Sequence, residues 1–241
     1  MAEPGKLTLA AMGDLHVDQA DEHPYRELFT EISDKADVLA LCGDLTNFGR
    51  LREAEILAED LRAATIPVVG VLGNHDFESG HVKEVAEILR DGGMTLLDQQ
   101  AVEISGVGFA GVKGFIGGFG RGELGSFGEP AIKTFVEEGL NEARKLENQL
   151  RTLRTERAVV VLHYSPIADT VEGEPLEIYP FLGSSRLSEP IDRFENVRLA
   201  VHGHAHRGRY EGRTMRGVPV YNCSLPVLEA LFGRRYALLE V

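Results

Sequence analysis

Five short polar clusters along the chain contain residue types that bind metal ions and activate water. In chain order they are Asp14-x-His16, Gly43-Asp44, Gly73-Asn74-His75-Asp76, His163 and Gly203-His204-x-His206. Taken singly, an Asp or Asn after a glycine is typical of a turn, and a lone histidine is typical of a hydrogen-bonded structural residue. Their joint presence favours one shared site.

Seven of these side chains form a donor set that is too large for one tetrahedral ion: Asp14, His16, Asp44, Asn74, His163, His204 and His206. Three oxygen donors and four imidazoles fit two ions that share a bridging ligand. Residues two apart on an extended backbone point to the same face. We therefore expect the side chains of Asp14 and His16 to converge, and likewise those of His204 and His206. Two ions roughly 3.5–4 Å apart can act on one phosphate, which indicates phosphoester chemistry.

Each cluster follows a short apolar run that has the length of a strand. These runs predict strands over residues 7–12, 38–42, 68–72, 158–162 and 199–201. Continuous apolar runs are typical of buried parallel strands, and α/β proteins place their chemistry at the carboxyl ends of such strands. The clusters are therefore expected to meet at one edge of a sheet.

Helical periodicity alternates with the early strands. Apolar residues at three- and four-residue spacing predict helices over residues 25–33, 51–63 and 82–90. A fourth helix is predicted over 131–157, beyond the region in which strands and helices alternate. Close-set strands are predicted over 94–97, 101–104 and 107–112, and antiparallel strands over 209–210, 218–221 and 236–241. No domain linker interrupts the pattern, so residues 1–241 are expected to form a single domain.

Two long segments have no clear period. Residues 114–129 contain seven glycines, and residues 164–188 contain three prolines and several acids. Irregular segments of this length in a compact domain are usually functional or mobile. For the glycine-rich segment 114–129, a flexible surface loop is as open an alternative as a functional role.

Composition limits the classes of function. The chain has 241 residues, a formal net charge of -13 and 43% hydrophobic residues, which is typical of a globular protein with a sizeable core. The acidic balance argues against non-specific binding to nucleic acid or anionic lipid. No apolar run approaches the roughly 18 residues of a membrane helix, and no basic segment precedes the first apolar run. We therefore expect a cytoplasmic protein without a membrane partner.

The five clusters, in this order, resemble the signature blocks of the calcineurin-like metallophosphoesterase superfamily. The resemblance extends from Asp14 to His206, which is most of the chain. It implies an α+β fold, a four-layer α/β/β/α sandwich with two mixed sheets packed face to face and helices outside. It also implies a binuclear metal centre, with the two ions being Mn, Fe or Zn, divalent or of mixed valence.

The resemblance implies a role for each matching residue. Asp14, His16 and His206 are expected to bind the first ion, and Asn74, His163 and His204 the second, with Asp44 bridging both. A hydroxide bridging the ions is expected to attack phosphorus, assisted by His75 as a group that faces the substrate and as a candidate general acid. Asp76 is a candidate to hold the imidazole of His75 by a hydrogen bond.

One departure from the superfamily pattern narrows the substrate. Phosphoprotein phosphatases follow the bridging Gly-Asp block with an Asp-Arg pair, where this chain has Asn47 and Phe48. This difference argues against a protein phosphatase. Arg50, Arg121 and His202 are candidates to contact the substrate or support the site, although ordinary surface arginines and a buried structural histidine are the simpler alternatives.

The sequence therefore predicts a metal-dependent phosphoesterase that resembles the bacterial phosphodiesterase branch. Its substrate is expected to be a small soluble phosphodiester or phosphomonoester. The alternatives are a nuclease acting on nucleic-acid phosphodiesters and a non-catalytic metal-binding scaffold for protein partners. The natural substrate, the metal and the oligomeric state stay open at this stage.

Overall fold

A computed structural model describes residues 6–20, 22–98 and 100–241, and it contains strands and helices in alternation. The strands are β1 (Thr8–Met12), β2 (Val38–Cys42), β3 (Val68–Val71), β4 (Met94–Leu96), β5 (Val102–Ile104), β6 (Val107–Val112), β7 (Ala158–Leu162), β8 (Val197–His202), β9 (Glu211–Arg213), β10 (Pro219–Asn222) and β11 (Ala237–Glu240). The helices are α1 (Arg26–Ser33), α2 (Leu51–Leu61), α3 (Val82–Asp91), α4 (Pro130–Thr152), α5 (Ser188–Arg193) and α6 (Leu225–Phe232).

The strands form two mixed sheets. The first has the order β11-β1-β2-β3-β4, in which β1 to β4 are parallel and β11 is antiparallel to β1. The second has the order β5-β6-β7-β8-β10-β9, in which the four central strands are parallel and both edge strands are antiparallel. The carboxyl ends of the parallel strands within each sheet therefore lie along one edge.

The two sheets pack face to face and share one core. Leu41 and Val71 from the first sheet belong to the same buried cluster as Phe109 and Val161 from the second. Such strands are covered on both faces, which explains why β2 and β7 consist of apolar residues without alternation.

Helices cover the outer faces of both sheets. Phe29 of α1, Leu57 of α2 and Leu89 of α3 pack into the core beneath the first sheet. On the other side, Leu146 and Leu150 of α4 pack against the outward face of the second sheet. The predicted four-layer sandwich is confirmed.

Several element predictions need correction. The predicted helix over 131–157 ends at Thr152, because Leu153 adopts an extended backbone and buries its side chain so that the chain can turn into β7. The strand near 209–210 lies instead at Glu211–Arg213, and β10 is parallel to β8 rather than wholly antiparallel. Helices α5 and α6 were not predicted.

The two irregular segments contact each other. Within 114–129, the Gly118 N–H donates to the Gly183 carbonyl at 2.9 Å, and the Ser185 N–H donates to the Gly118 carbonyl at 3.1 Å. The hydroxyl of Ser184 also donates to Glu123 at 2.7 Å. Both segments therefore form one connected surface beside the carboxyl end of β7. Among the described residues, no helix is both long and apolar enough to cross a membrane.

Candidate metal centre

The predicted site residues follow five strands at the edge where the parallel strands end. Asp14 and His16 follow β1, Asp44 follows β2, and Asn74 and His75 follow β3. From the second sheet, His163 follows β7, while His204 and His206 follow β8. Because the sheets face each other, side chains from both reach one cleft between them.

The loops that carry these side chains after β1, β2 and β8 have left-handed backbone. Extended backbone was expected for the pairs Asp14/His16 and His204/His206. Asp14, His16, Asp44 and His204 have φ angles of 61°, 45°, 48° and 70°. The expectation that an extended strand brings each pair together is therefore wrong. The chain turns sharply after β1, β2 and β8, and these turns direct the side chains inward. Non-glycine residues rarely adopt such φ angles, and they cluster at functional sites.

The first candidate metal group consists of Asp14, His16 and His206. One ligand atom from each lies within 4.8 Å of the others. The carboxylate of Asp14 is 3.1 Å from Nε2 of His206 and accepts the backbone N–H of His204 at 2.9 Å. Burial raises the pKa of Asp14 to about 6, and the hydrogen bond to Asp14 raises the pKa of His206. The buried carboxylate thus lies where a cation would be stabilised.

The second candidate group consists of Asp44, His163 and His204, with Asn74 beside it. His163 donates from Nδ1 to the Cys42 carbonyl at 2.9 Å, so its Nε2 carries a lone pair. That Nε2 lies 2.9 Å from Oδ1 of Asn74 and 3.3 Å from Oδ1 of Asp44. Burial lowers the pKa of His163 far below its usual range, so the ring stays neutral. Three lone-pair donors therefore face one another.

Asp44 lies between the two groups. Its Oδ1 faces His163, whereas its Oδ2 lies 3.9 Å from Nε2 of His16 in the first group. The Asp44 carboxylate is almost fully buried and also accepts the backbone N–H of His75 at 2.8 Å. This is the position that a bridging ligand needs.

The donor set fits two bound cations. Nε2 of His16 is buried and has no hydrogen-bond partner among the described residues, and burial lowers the pKa of this ring to about 4. A buried acceptor without a partner is costly unless a bound ion or water satisfies it. Together with the facing lone pairs of His163 and Asn74, this unpaired nitrogen indicates that cations complete the site.

His75 lies at the open side of the cluster. Its ring centroid is 4.5 Å from that of His16, and 38% of its side chain is exposed. The Nδ1 atom donates to the Asn47 carbonyl at 2.7 Å, so that Nε2 is directed toward the cleft, 4.0 Å from Oδ2 of Asp44. This arrangement leaves Nε2 free to contact a bound substrate.

The hydrogen bond predicted from Asp76 to His75 is wrong. The buried Asp76 carboxylate accepts the Thr46 N–H at 2.8 Å, the Thr46 hydroxyl at 2.6 Å and the Gly73 N–H at 2.7 Å. Asp76 therefore joins the loop after β2 to the loop after β3. Its side chain turns away from the neighbouring His75 imidazole. It supports the site by holding the backbone of Thr46 and Gly73 in these two loops.

The other three candidates belong to none of the candidate metal groups found among the described residues. His202 is fully buried and pairs with the hydroxyl of Thr170 at 2.8 Å, so substrate cannot reach it in this conformation. Arg50 and Arg121 are exposed, and the Arg50 guanidinium lies 5.1 Å from the ring centroid of Phe48. A substrate contact by either arginine stays a prediction.

Backbone carbonyls that the sequence could not single out orient three of the imidazoles. The carbonyls of Cys42, Asn47 and Phe181 accept from His163, His75 and His204, the last at 3.1 Å. Each bond selects which ring nitrogen faces the cleft. Carbonyl groups occur at every residue, so no sequence signal could have marked these.

Comparison with known proteins agrees with this geometry. The sequence model of the calcineurin-like phosphoesterases matches residues 7–208. The chain belongs to this family. The family is metal-dependent, and the Asp and His groups of this chain lie where they could hold metal.

Two curated relatives have related sequences. The uncharacterised protein MJ1162 of Methanocaldococcus jannaschii is 29% identical over 184 residues, which are 74% of this chain and 73% of that protein. The probable glycerophosphodiester phosphodiesterase GpdQ of Arcobacter nitrofigilis is 23% identical over 72% of this chain. The match covers 58% of the length of GpdQ.

Solved structures share the fold of this family member. The phosphopantetheinyl hydrolase PptH of Mycobacterium tuberculosis has a TM-score of 0.68 at 16% identity, covering 99% of this chain and 97% of that one. TT1561 of Thermus thermophilus has a TM-score of 0.59 at 19% identity, covering 98% of this chain and 99% of that one. These likenesses extend over the whole sandwich.

Proposed function

We propose that this calcineurin-like phosphoesterase is a binuclear metalloenzyme that hydrolyses a phosphodiester of a small soluble substrate. The observation that carries the proposal is the place of Asp44 between the two candidate metal groups, with Oδ2 3.9 Å from Nε2 of His16 and Oδ1 3.3 Å from Nε2 of His163. A phosphomonoester is the second substrate class, since the same arrangement can act on either.

Each ion has a set of side chains that would hold it. Asp14, His16 and His206 suit the first position, and Asn74, His163 and His204 suit the second, with Asp44 shared. Nitrogen and oxygen donors of this kind suit Mn, Fe or Zn. Two such ions, when bound, would supply an acidified water as nucleophile and would neutralise charge on the phosphoryl oxygens.

His75 is the side chain that we assign to the leaving group. The Asn47 carbonyl holds Nδ1–H, so a proton on Nε2 points into the cleft. In its protonated form the ring can donate from Nε2 to a phosphoryl oxygen or to the departing alkoxide.

Several observations favour a diester over a phosphoprotein. Phe48 occupies the sequence position at which phosphoprotein phosphatases carry an arginine, and its ring is 42% exposed beside the cleft loop. A diester carries one negative charge on its phosphoryl group and needs fewer cations than a monoester. The name of the GpdQ relative also supports a diester. The net charge of -13 supports a small substrate over a polyanionic nucleic acid.

The proposal is tested with protein that has been stripped of metal and reloaded with Mn²⁺. We expect turnover of bis(4-nitrophenyl) phosphate to exceed turnover of 4-nitrophenyl phosphate and to vanish on chelation. Asn74→Ala should abolish this activity and lower the metal content, whereas Asn148→Ala, on the exposed face of α4, should change neither.

Other outcomes would point to the alternatives. Hydrolysis of long DNA without hydrolysis of either aryl phosphate would indicate a nuclease. Stoichiometric metal binding without turnover of any of these substrates would indicate a scaffold.

A further inference from the structure

A lysine that has no part in the proposed chemistry lies next to the metal centre. Lys113 is the first residue after β6, at the edge where the site residues lie. Its carbonyl accepts the backbone N–H groups of both His163 and Tyr164 at 3.1 Å. These two bonds place Lys113 directly beside the loop that carries His163.

Three aromatic rings surround the ammonium of Lys113. Its Nζ lies 5.4 Å from the ring centroid of Phe77, 5.0 Å from that of Phe115 and 5.3 Å from that of Tyr164. At these distances each ring face attracts a cation. The Tyr164 ring also lies 4.5 Å from the His204 ring, so a single aromatic ring separates the ammonium from the metal centre.

The protein leaves the charge of Lys113 without a direct counter-ion. Its ammonium donates to the Gly114 carbonyl at 2.8 Å, and among the described residues no carboxylate lies within 4.0 Å of it. Nearby Glu142 and Asp98 instead face Lys145, at 2.6 Å and 4.0 Å. Burial lowers the pKa of Lys113, because the ammonium is partly withdrawn from water. The carboxylates of Glu142, Glu138 and Asp98 attract Lys113 only from beyond ion-pair distance. A partly buried cation without an ion-pair partner is stabilised further by an anion that binds next to it.

A cavity of 360 Å³ opens beside Lys113. Its walls include Phe77, Leu72, Val82 and Leu96, which are apolar. Phe77 closes the turn His75–Phe77, so this wall continues the turn that carries His75. The cavity therefore lies next to the turn that carries His75, with apolar walls and Lys113 in its lining.

The side chains that line this cavity carry a small net positive charge, opposite in sign to that of the chain as a whole. Its lining contains three basic side chains and two acidic ones: Lys83, Arg90, Lys113, Glu87 and Asp98. Lys83, Glu87 and Arg90 are exposed residues of α3, whereas Lys113 is partly buried. In a chain with a net charge of -13, this local excess of positive charge favours an anionic ligand.

We propose that Lys113 and this cavity bind an oxyanion on the part of the substrate remote from the scissile phosphorus. The substrate class is a phosphodiester whose second ester group is a short carbon chain ending in a carboxylate or a phosphate. The chain lies against Phe77 and α3, and the terminal oxyanion accepts a hydrogen bond from the Lys113 ammonium. This inference rests on the proposed function, which it refines.

Three 4-nitrophenyl phosphodiesters test the proposal, with butyl, 3-carboxypropyl or 3-phosphonooxypropyl as the second ester group. For the Mn²⁺-loaded wild type we expect a KM about tenfold lower for the two charged esters than for the butyl ester, since a charge-assisted hydrogen bond is gained. Lys113→Met should abolish this preference. Lys133→Met, on the exposed face of α4, should retain it. A preference for one charged ester alone identifies the terminal group.

The outcomes separate this inference from the proposed function. If the wild type hydrolyses the butyl ester but shows no preference, or if Lys113→Met keeps the preference, the oxyanion site is overturned and the phosphodiesterase stands. If no ester is hydrolysed, calorimetry is used to measure the binding of phenylphosphonate esters that carry the same three second ester groups. The oxyanion site is supported if the wild type binds the charged esters more tightly than the butyl ester and Lys113→Met loses this difference. Equal binding of all three esters by the wild type overturns it. Lys113→Gln replaces the methionine variant if circular dichroism shows that the latter is unfolded.

Discussion

The chemistry of this site depends on which nitrogen of each histidine faces the cleft. The carbonyls of Cys42, Asn47 and Phe181 each take one ring N–H, and this leaves the opposite nitrogen for a metal ion or the substrate. Burial keeps the pKa of His204 at about 3, so this ring is a neutral donor at any physiological pH. His75 is partly exposed and lies on the open side of the cleft, where a substrate can reach it.

Replacing His75 should separate catalysis from metal binding. His75→Gln is expected to lower kcat on a dialkyl phosphodiester, whose leaving alkoxide needs a proton, by about 10²–10⁴-fold, the usual contribution of a general acid, without loss of bound metal. The measurement is steady-state kinetics beside elemental analysis. His81→Gln removes a more exposed histidine near the same loop and serves as the control. Loss of metal in His75→Gln would show that this residue is a ligand instead.

Gly73 is a second residue at which the site tolerates little change. A Cβ built there would lie 2.2 Å from both the backbone nitrogen and Oδ1 of Asp44. Gly73→Ala must therefore displace the carboxylate that is shared by both metal groups. We expect metal affinity to fall at least about tenfold and stability by about 1–3 kcal/mol, as for other overpacked sites. Gly122→Ala adds a methyl group in open space and should leave metal binding and unfolding unchanged.

At the scale of elements, α4 ties the second sheet to the first through one polar side chain. Oε1 of Gln149 accepts the Gly111 N–H at 2.8 Å, and its Nε2 donates to the carbonyls of Gly111 and Leu97 at 2.9 and 2.7 Å. Strand β5 pairs with β6 only as far as Phe109, so Gly111 has no strand partner on that side. Gln149 takes the place of the missing strand.

Removing this link should destabilise the fold. Gln149→Leu keeps the size of the side chain but leaves three buried backbone groups unpaired, so the free energy of unfolding should fall by about 3 kcal/mol or more. Urea denaturation measures the change. Asn148→Leu, the exposed neighbour on the same helix, should alter stability by less than about 0.5 kcal/mol. Equal effects of the two substitutions would contradict this role for Gln149.

At the scale of the whole molecule, the candidate metal centre joins the two sheets. Asp14, Asp44 and Asn74 follow strands of the first sheet, and His163 and His204 follow strands of the second. Bound ions would therefore link the two halves of the sandwich. The left-handed loops that present these groups are held by hydrogen bonds between sheets, such as the one from the His204 N–H to Asp14.

Metal removal should lower thermal stability, and the effect should depend on pH. A metal ion present at 100 times its dissociation constant raises the free energy of unfolding by about 2.7 kcal/mol. For a chain of this size this corresponds to a rise in Tm of roughly 5–10 °C. The pKa of Asp14 is raised to about 6 and that of His206 is also raised, so without metal both hold protons more tightly than usual. Metal must displace these protons, and its affinity should therefore decrease as pH falls through about 6.

Thermal melts with and without chelator at pH 7.5 and 5.5 measure this effect, and calorimetry in buffers of different ionisation enthalpy measures the released protons. The shift in Tm is expected to be smaller at pH 5.5. A shift that is equal at both pH values, or larger at the lower one, would contradict this account.

Much of the architecture could be predicted because the pattern of apolar residues is strong in the central strands. β2, β6 and β7 have the predicted bounds, since buried parallel strands are continuous apolar runs between polar loops. β9 was misplaced because it consists of Glu, Gly and Arg at a sheet edge, with no apolar pattern, and pairing with β10 determines its position. Helix α6 is apolar around much of its surface and lacks the amphipathic spacing on which helix prediction depends.

The ligand types, their order and the strands that they follow could all be read from the amino-acid sequence, because metal chemistry restricts donors to a few residue types and buried strands have a distinctive composition. The remaining features depend on tertiary structure. The left-handed turns at Asp14 and Asp44, the carbonyls that orient the imidazoles, the place of Asp76 between two loops and the ring of aromatics around Lys113 all join segments that are distant along the chain. Such contacts depend on how the two sheets pack, and no local pattern of residues specifies that packing.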